Sequence, residues 1–172
     1  HIKKSKEITG ADFVIIVMSG NFVQRGTPAL CDKYLRAKMA LLNGADLVIE
    51  LPVSYATASA EYFSMGAISL LDKLGVVDAI CFGSEDGSLT SLSYAANLLS
   101  DETPDYQESL RQGLKDGLTF PQARMKAISL NDSELDAHFL SSPNNILGIE
   151  YLTALKKRKS SIKPYTITRQ GS

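Results

Sequence analysis

Side chains able to do chemistry gather at three places in the sequence, each at the end of an apolar, strand-forming run. Ser19-Gly20-Asn21 and Gln24-Arg25-Gly26 follow Phe13–Met18, Glu50-Leu51-Pro52 closes Asp46–Leu51, and Gly83-Ser84-Glu85 follows Val77–Phe82. In an open parallel sheet, ligands sit beyond the carboxyl ends of the strands, so these three segments converge on one edge. Gly20 and Gly83, directly after strands, let the backbone approach a ligand closely. Arg25 carries a guanidinium that grips phosphate or carboxylate through two parallel hydrogen bonds. Asp32, Glu50 and Glu85 are of the type that meets magnesium through phosphates, although a solvated or ion-paired state is the ordinary one for a carboxylate. Taken singly, these are turn glycines and surface charges. As a set on one edge, they describe a polar pocket for an anionic ligand.

Several chemistries are disfavoured. The chain has neither a G-x-x-x-x-G-K-[ST] loop nor a G-x-G-x-x-G fingerprint. Its two histidines are His1 and His138, and neither lies beside a nucleophile at a strand end. His138, within Leu135–Leu140, reads as a packing or surface residue. Cys31 and Cys81 belong to no CxxC motif, which leaves no zinc set and points to a reduced, cytoplasmic setting. A formal net charge of -1 provides no global field toward nucleic acid or anionic lipid. No apolar run reaches the length of a membrane span.

The elements that must position these residues follow from periodicity. Phe13–Met18, Asp46–Leu51 and Val77–Phe82 are continuous apolar, β-branched runs, expected as strands buried on both faces. Helical spacing runs through Leu30–Leu42, with Leu30, Tyr34, Ala37, Leu41 and Leu42 on one stripe, and stops at Asn43-Gly44. A second helix spans Ser59–Leu74, with Phe63, Ala67, Leu70, Leu71 and Leu74 on one side and Gly75 after it. Strand and helix alternate at the spacing of right-handed βαβ units, so one parallel sheet is expected. Residues 89–160 read as a mainly helical extension with segments at Leu89–Leu99, Asp105–Leu114, Pro121–Leu130 and Pro143–Lys159. The chain then returns to the sheet through Lys163–Thr168, where Pro164 suits the start of a strand. At 172 residues, with 44% hydrophobic and 22% charged residues, the whole is expected to form a single α/β domain. The opening residues, His1–Ile8, read as a helix already under way with no capping residue before it, so a preceding segment is expected.

Five segments then carry a resemblance. MSGNFVQRG is followed in order by DKYLRAKMAL, DLVIELP, CFGSE and SPNNILGIEYL, with TPAL between the first two. Together they closely resemble the bacterial tRNA(Met) cytidine acetate ligase family, within the HIGH-motif nucleotidyltransferase superfamily, from His1 to about Arg169. The resemblance implies a Rossmann-like nucleotidyltransferase fold in which a first strand and an HxGH element precede His1 and are missing here. It implies ATP-dependent activation of acetate to acetyl-adenylate. The acetyl group then passes to the N4 amine of the wobble cytidine of elongator methionine tRNA.

The same resemblance implies that Gly83, Asn144 and Arg169 contact ATP, with His1 at the trailing edge of a phosphate-binding segment. The chemistry suits those roles: glycine admits the nucleotide, an amide reads adenine or ribose, and a guanidinium meets phosphate. Asn145 competes for the amide position, and Asn144 has an alternative role as a helix cap. Asn21, Gln24 and Arg25 are candidates for the acetate or phosphate end. Magnesium is expected alongside ATP. No catalytic residue is assigned, because the histidines of the motif lie outside the sequence. Thr27 departs from the acidic residue expected there. The basic run Lys156–Lys159 suits either a tRNA backbone or, as the more ordinary reading, a helix C-terminus dressed with cations. Two alternatives stand beside the ligase: another nucleotidyltransferase acting on a small acceptor, and a non-catalytic nucleotide- or tRNA-binding module.

Overall fold

A computed structural model describes residues 1–101, 103–131 and 137–169; within them, nothing is stated of the side chains of residues 25, 101, 121, 130, 131, 137 and 138, so the expectation for His138 and the grip of Arg25 lie outside the described features. Four strands appear: β1 (Ile15–Ser19), β2 (Leu47–Leu51), β3 (Ala79–Ser84) and β4 (Lys163–Thr168). Helix α1 (Ile2–Thr9) precedes them, and α2 (Lys33–Leu42), α3 (Val53–Ala56) and α4 (Ala60–Leu74) make the first crossovers. Between β3 and β4 lie α5 (Leu89–Asp101), α6 (Pro104–Lys115), α7 (Phe120–Asn131), α8 (Ala137–Ser141) and α9 (Pro143–Arg158). The mainly helical stretch expected between Leu89 and the last strand is therefore present.

The strands pair in parallel, but as two separate pairs. Ile15 to Ser19 of β1 stand opposite Leu47 to Leu51 of β2. Ala79 to Ser84 of β3 stand opposite Lys163 to Thr168 of β4. Between β1 and β3 runs a cleft of about 730 Å³, lined by Ile15, Ile16 and Val17 on one side and Ala79, Ile80 and Cys81 on the other. Phe63, Ala67 and Tyr151 contribute to the same lining. The expected single sheet is thus interrupted at its centre. The facing edges of β1 and β3 pair with no strand among the described residues.

The interruption also corrects the expectation of strands buried on both faces. In β1 only Ser19 is buried, and in β2 only Leu51. The cleft leaves the rest of β1 partly open, and β2 lies at the outer edge of its pair, where Leu47 and Glu50 are exposed.

Most of the core lies around α9. Ile149, Leu152 and Leu155 of α9 join Ile68 and Leu71 of α4, Phe82 of β3, and Leu92, Ala95 and Leu99 of α5. Leu51, Ala56 and Ala67 form a smaller cluster. Burying such side chains contributes roughly 1.5–3 kcal/mol each relative to leaving them exposed, so this helix is the main anchor of the fold. An ion pair also binds α9 to α7: Arg124 Nη1 donates to Glu150 Oε1, and the Glu150 side chain is only 3% exposed. By contrast, α2 has no buried residue. Leu30, Tyr34 and Leu42, placed on its apolar stripe by spacing, are exposed.

Candidate nucleotide site

The carboxyl end of β3 is where side chains from the most elements meet. Gly83 lies within the strand, and a Cβ there would stand 3.2 Å from Arg169 Cγ and 3.6 Å from His1 Nε2. The absence of a side chain at Gly83 is what lets a guanidinium stem from the end of β4 and an imidazole from the start of α1 lie over one stretch of backbone. Arg169 is aligned by the parallel ladder, because its backbone N–H donates to Ser84 O at 3.0 Å. Ser84 is fully buried; its hydroxyl stands 2.7 Å from Thr166 Oγ1 and accepts from Gly87 N at 3.0 Å. The turn after β3 is therefore tied to β4 by side chains as well as by the ladder.

The next residue links this turn to α9. Glu85 Oε1 accepts from Asn144 Nδ2 at 2.6 Å and from Asn144 N at 3.3 Å, and Glu85 Oε2 accepts from Asn145 N at 2.9 Å. In return, Asn145 Oδ1 accepts from Glu85 N at 3.0 Å and from Asp86 N at 3.3 Å. Asn145 Nδ2 donates to Phe139 O at 3.1 Å, and the residue is 2% exposed. The first turn of a helix leaves backbone N–H groups without helical partners. Ser142, the residue at the cap position of α9, makes no side-chain cap. Glu85 supplies that cap from across the fold. Burial works against its ionised form, but the hydrogen bonds from Asn144 and Asn145 more than offset it and hold the Glu85 carboxyl below the usual carboxylate range.

The second cluster lies at the carboxyl ends of β1 and β2, across the cleft. Gly20 makes a close approach: a Cβ would fall 2.2 Å from Glu50 Oε1. Glu50 Oε2 accepts from Lys33 Nζ at 2.6 Å, and this hydrogen bond is the largest influence raising the pKa of the exposed Lys33 ammonium. Arg36 Nη1 donates to Ser19 O at 3.1 Å and to Gly20 O at 2.7 Å. The intervening loop folds back on itself through a bridge between Phe22 and Pro28, with Val23 N donating to Thr27 O at 2.9 Å.

Of the residues singled out in the sequence, the structure brings His1, Gly83 and Arg169 into one group. Asn144 is joined to that group through Glu85. Asn21, Gln24 and Arg25 belong to the other cluster. Asn21 has a structural task there, since its Oδ1 accepts from Lys33 N at 3.1 Å and its carbonyl from Ala29 N at 2.9 Å. Gln24 is half-buried in a short 3-10 turn, Gln24–Gly26. The two asparagines differ in geometry: the Asn145 amide is committed at both ends, whereas Asn144 is half-exposed with Oδ1 unbonded among the described residues. Nor does Asn144 cap α9 with its own side chain.

The three carboxylates considered for magnesium are engaged elsewhere. Asp32 Oδ1 caps α2 by accepting from Tyr34 N and Leu35 N, Glu50 holds Lys33, and Glu85 caps α9. Among the described residues no group of three or more His, Cys, Asp or Glu gathers in a metal-holding arrangement. Lys33 and Arg36 were not singled out from sequence. Asp32 followed by a helical run was the available signal, since an N-cap aspartate fixes the phase of the helix that presents both cations.

The basic run ends α9, with Lys156, Lys157 and Arg158 in its last turn. Arg158 donates to Asp72 Oδ2 from Nε at 3.1 Å and from Nη2 at 2.9 Å, and Ser160 Oγ donates to Asp72 Oδ1. One cation of the run is therefore spent on tertiary structure. The helix of 16 residues separates the run from Asn144 by roughly 20 Å at 1.5 Å per residue. Among the described residues no helix is long and apolar enough to cross a membrane.

Comparison with known proteins adds four findings. A family model described as HIGH Nucleotidyl Transferase matches residues 1–172. Among curated proteins, the tRNA(Met) cytidine acetate ligase of Caldanaerobacter subterraneus subsp. tengcongensis is 54% identical over 173 residues, covering 100% of this chain and 43% of that protein. The protein of the same name from Acetivibrio thermocellus is 53% identical over 175 residues, covering 98% of this chain and 41% of its own length. The crystal structure of Thermotoga maritima TmcAL bound with alpha-thio ATP superposes with a TM-score of 0.94 at 40% identity, over 99% of this chain and 42% of that one. The chain thus spans less than half the length of the relatives it matches.

Proposed function

The chain belongs to the HIGH nucleotidyl transferase family, and from that premise we propose that it forms the ATP-handling part of a tRNA(Met) cytidine acetate ligase. The observation that carries this reading is the convergence of His1, Gly83 and Arg169 at the end of β3, with Asn144 bound to the same turn through Glu85. A relative of 0.94 TM-score bound with alpha-thio ATP supports a nucleotide as the ligand. The names of the curated relatives support acetate and methionine tRNA as the other substrates.

In this reading Gly83 gives the nucleotide access to the backbone and Arg169 meets its phosphates. Asn144 reads adenine or ribose, and His1 borders the phosphate segment. Arg169 is exposed at the end of a well-anchored strand, so its guanidinium reaches outward from a fixed base. A carboxylate oxygen of acetate attacks the α-phosphorus of ATP, the bond to the bridging oxygen breaks, and pyrophosphate leaves. The cytidine N4 amine then attacks the acetyl carbonyl carbon, loses a proton, and AMP departs. Both steps depend on alignment and charge neutralisation more than on a covalent protein nucleophile.

Gln24 and Arg25, with the Gly20 backbone, border the acetate or phosphate end; Asn21 serves it by holding the loop to α2. The carboxylates here fit magnesium poorly, being used as caps and ion-pair partners. The ion's contribution would be to neutralise the triphosphate with which it travels. The cleft between β1 and β3 suits one further parallel strand, and an HxGH element continuing from such a strand would emerge between Gly20 and Gly83. An anticodon loop already exposes its bases, and Lys157 and Lys159 are exposed cations suited to the tRNA backbone away from the reacting base.

The test is incorporation of labelled acetate into elongator methionine tRNA by the full-length protein with ATP. The expected result is one acetyl group per tRNA at the wobble cytidine and release of pyrophosphate and AMP. Transfer to a small phosphorylated acceptor instead, or no transfer at all, would overturn the ligase reading.

A further inference from the structure

The link between the β3 turn and α9 does more than join two elements, because its hydrogen bonds have a compulsory direction. An ionised carboxylate only accepts. Glu85 Oε1 lies 2.6 Å from the side-chain amide of Asn144, so the NH2 end of that amide must face it. The amide cannot rotate by half a turn without setting its carbonyl oxygen against the carboxylate. Asn144 Oδ1 is therefore turned away from Glu85, and it receives no hydrogen bond among the described residues. The neighbouring amide is fixed in the opposite sense. Asn145 Nδ2 faces the carbonyl of Phe139, which only accepts, so Asn145 Oδ1 takes the N–H groups of Glu85 and Asp86. Five hydrogen bonds join the turn to the start of α9, and they leave one acceptor, Asn144 Oδ1, uncommitted.

Resting on the reading of Asn144 as a nucleotide contact, we infer that Glu85 is a specificity-determining positioning residue: it holds the Asn144 amide so that the bound nucleotide meets a hydrogen-bond acceptor. The group selected is then a donor on the nucleotide, either the 6-amino group of adenine or a ribose hydroxyl. A nucleotide presenting a carbonyl or nothing at that point leaves Oδ1 without a partner. A buried polar atom without a partner costs about 1–3 kcal/mol, which corresponds to roughly a fivefold to hundredfold loss of affinity. In a Glu85→Gln variant the side chain offers both a donor and an acceptor. The Asn144 amide is then free to turn either end outward, and the selection relaxes.

Calorimetric titration of the full-length protein with ATP, ITP, 2′-deoxy-ATP and 3′-deoxy-ATP tests this. ITP replaces the 6-amino group with a carbonyl, and each deoxy nucleotide removes one hydroxyl, so the three analogues separate the possible donors. The expected result is a loss of roughly fivefold or more for one analogue in the wild type, shrinking to within about twofold of ATP in Glu85→Gln. Asn145→Ala supplies the contrast: it loosens the turn but leaves Glu85 facing Asn144, so affinity for all four nucleotides falls while their ratios persist. A purely structural Glu85 would behave like Asn145, and unchanged ratios in Glu85→Gln would overturn the inference. So would equal binding of all four nucleotides by the wild type. Failure of ATP itself to bind would overturn the function reading and this inference with it, whereas binding without discrimination would overturn this inference alone.

Discussion

The two strand pairs are built to different standards. Around β3 and β4, α9 buries Asn145, Gly148, Ile149, Glu150, Leu152, Thr153, Ala154 and Leu155, and the turn after β3 is locked by side chains on both flanks. Around β1 and β2, α2 buries nothing. The loop there is held by a handful of polar contacts from Asn21, Lys33 and Arg36. The difference teaches which half defines a fixed pocket. On the function proposed above, the nucleotide is gripped at positions that must not move, and the packed half supplies them. The open half offers cations and a glycine edge that adjust to what is placed beside them.

The largest expected effect comes from attacking the packed half at its buried charge. Arg124→Met leaves the Glu150 carboxyl with no partner in a nearly dry site. Removing one member of a buried pair costs about 3–5 kcal/mol, so thermal unfolding should show a large fall in Tm. A fall as small as that of a surface substitution would contradict the contrast between the halves.

The next effect is pH-dependent. The folded-state pKa of Glu85 lies below the usual carboxylate value of 4.5. A group so depressed contributes stability that is present above the unfolded value and lost as pH falls through the folded one. The difference in stability between wild type and Glu85→Gln should therefore be constant near neutrality. It should shrink only as pH drops below about 4.5, as denaturant midpoints at several pH values will show.

The smallest effect belongs to the open half. Gly20→Ala places a methyl group against Glu50 Oε1, the far end of a flexible, exposed side chain that can swing aside. What is lost is the Lys33–Glu50 pair, and a solvent-screened surface pair contributes little to stability. Urea unfolding should show a midpoint close to that of the wild type. A midpoint shifted as far as that of Arg124→Met would show the open half to be as tightly specified as the other.

That contrast also marks what was legible from residue pattern alone. Strand β4 occurs at Lys163–Thr168, as Pro164 and the alternation after it indicated, and α9 follows the run from Pro143 to within a residue of its expected end. Helix α3 escaped notice because four residues after Pro52 are too few for periodicity to register. The stripe Leu30–Tyr34–Leu42 has the spacing of a buried face yet lies exposed; periodicity identifies the face of a helix, not whether anything covers it. The division of the sheet was equally invisible, because apolar strands read alike whether they pair on one edge or two. Among site residues, Gly83 is marked by its place at the end of a strand, whereas Arg169 and His1 come from the family resemblance alone, and the fold brings the three together. From sequence alone Glu85 is a solvated carboxylate or a magnesium neighbour, since its partners Asn144 and Asn145 lie about sixty residues away. Asn21 is a candidate for the acetate or phosphate end, and the sequence does not show its second task. An amide in a glycine-rich loop resembles a reader of substrate, and its bond to Lys33 N is visible only once α2 is in place.

The most direct test of the central claim, that the β3–β4 edge binds ATP, is calorimetric titration of ATP into the full-length protein carrying Arg169→Ala. Arg169 is exposed and its backbone contact to Ser84 is retained, so the melting temperature should hold. Loss of a charge-assisted contact to phosphate, about 1.5–3 kcal/mol, should raise the Kd for ATP by roughly ten- to hundredfold. An unchanged Kd in a normally folded variant would contradict the account.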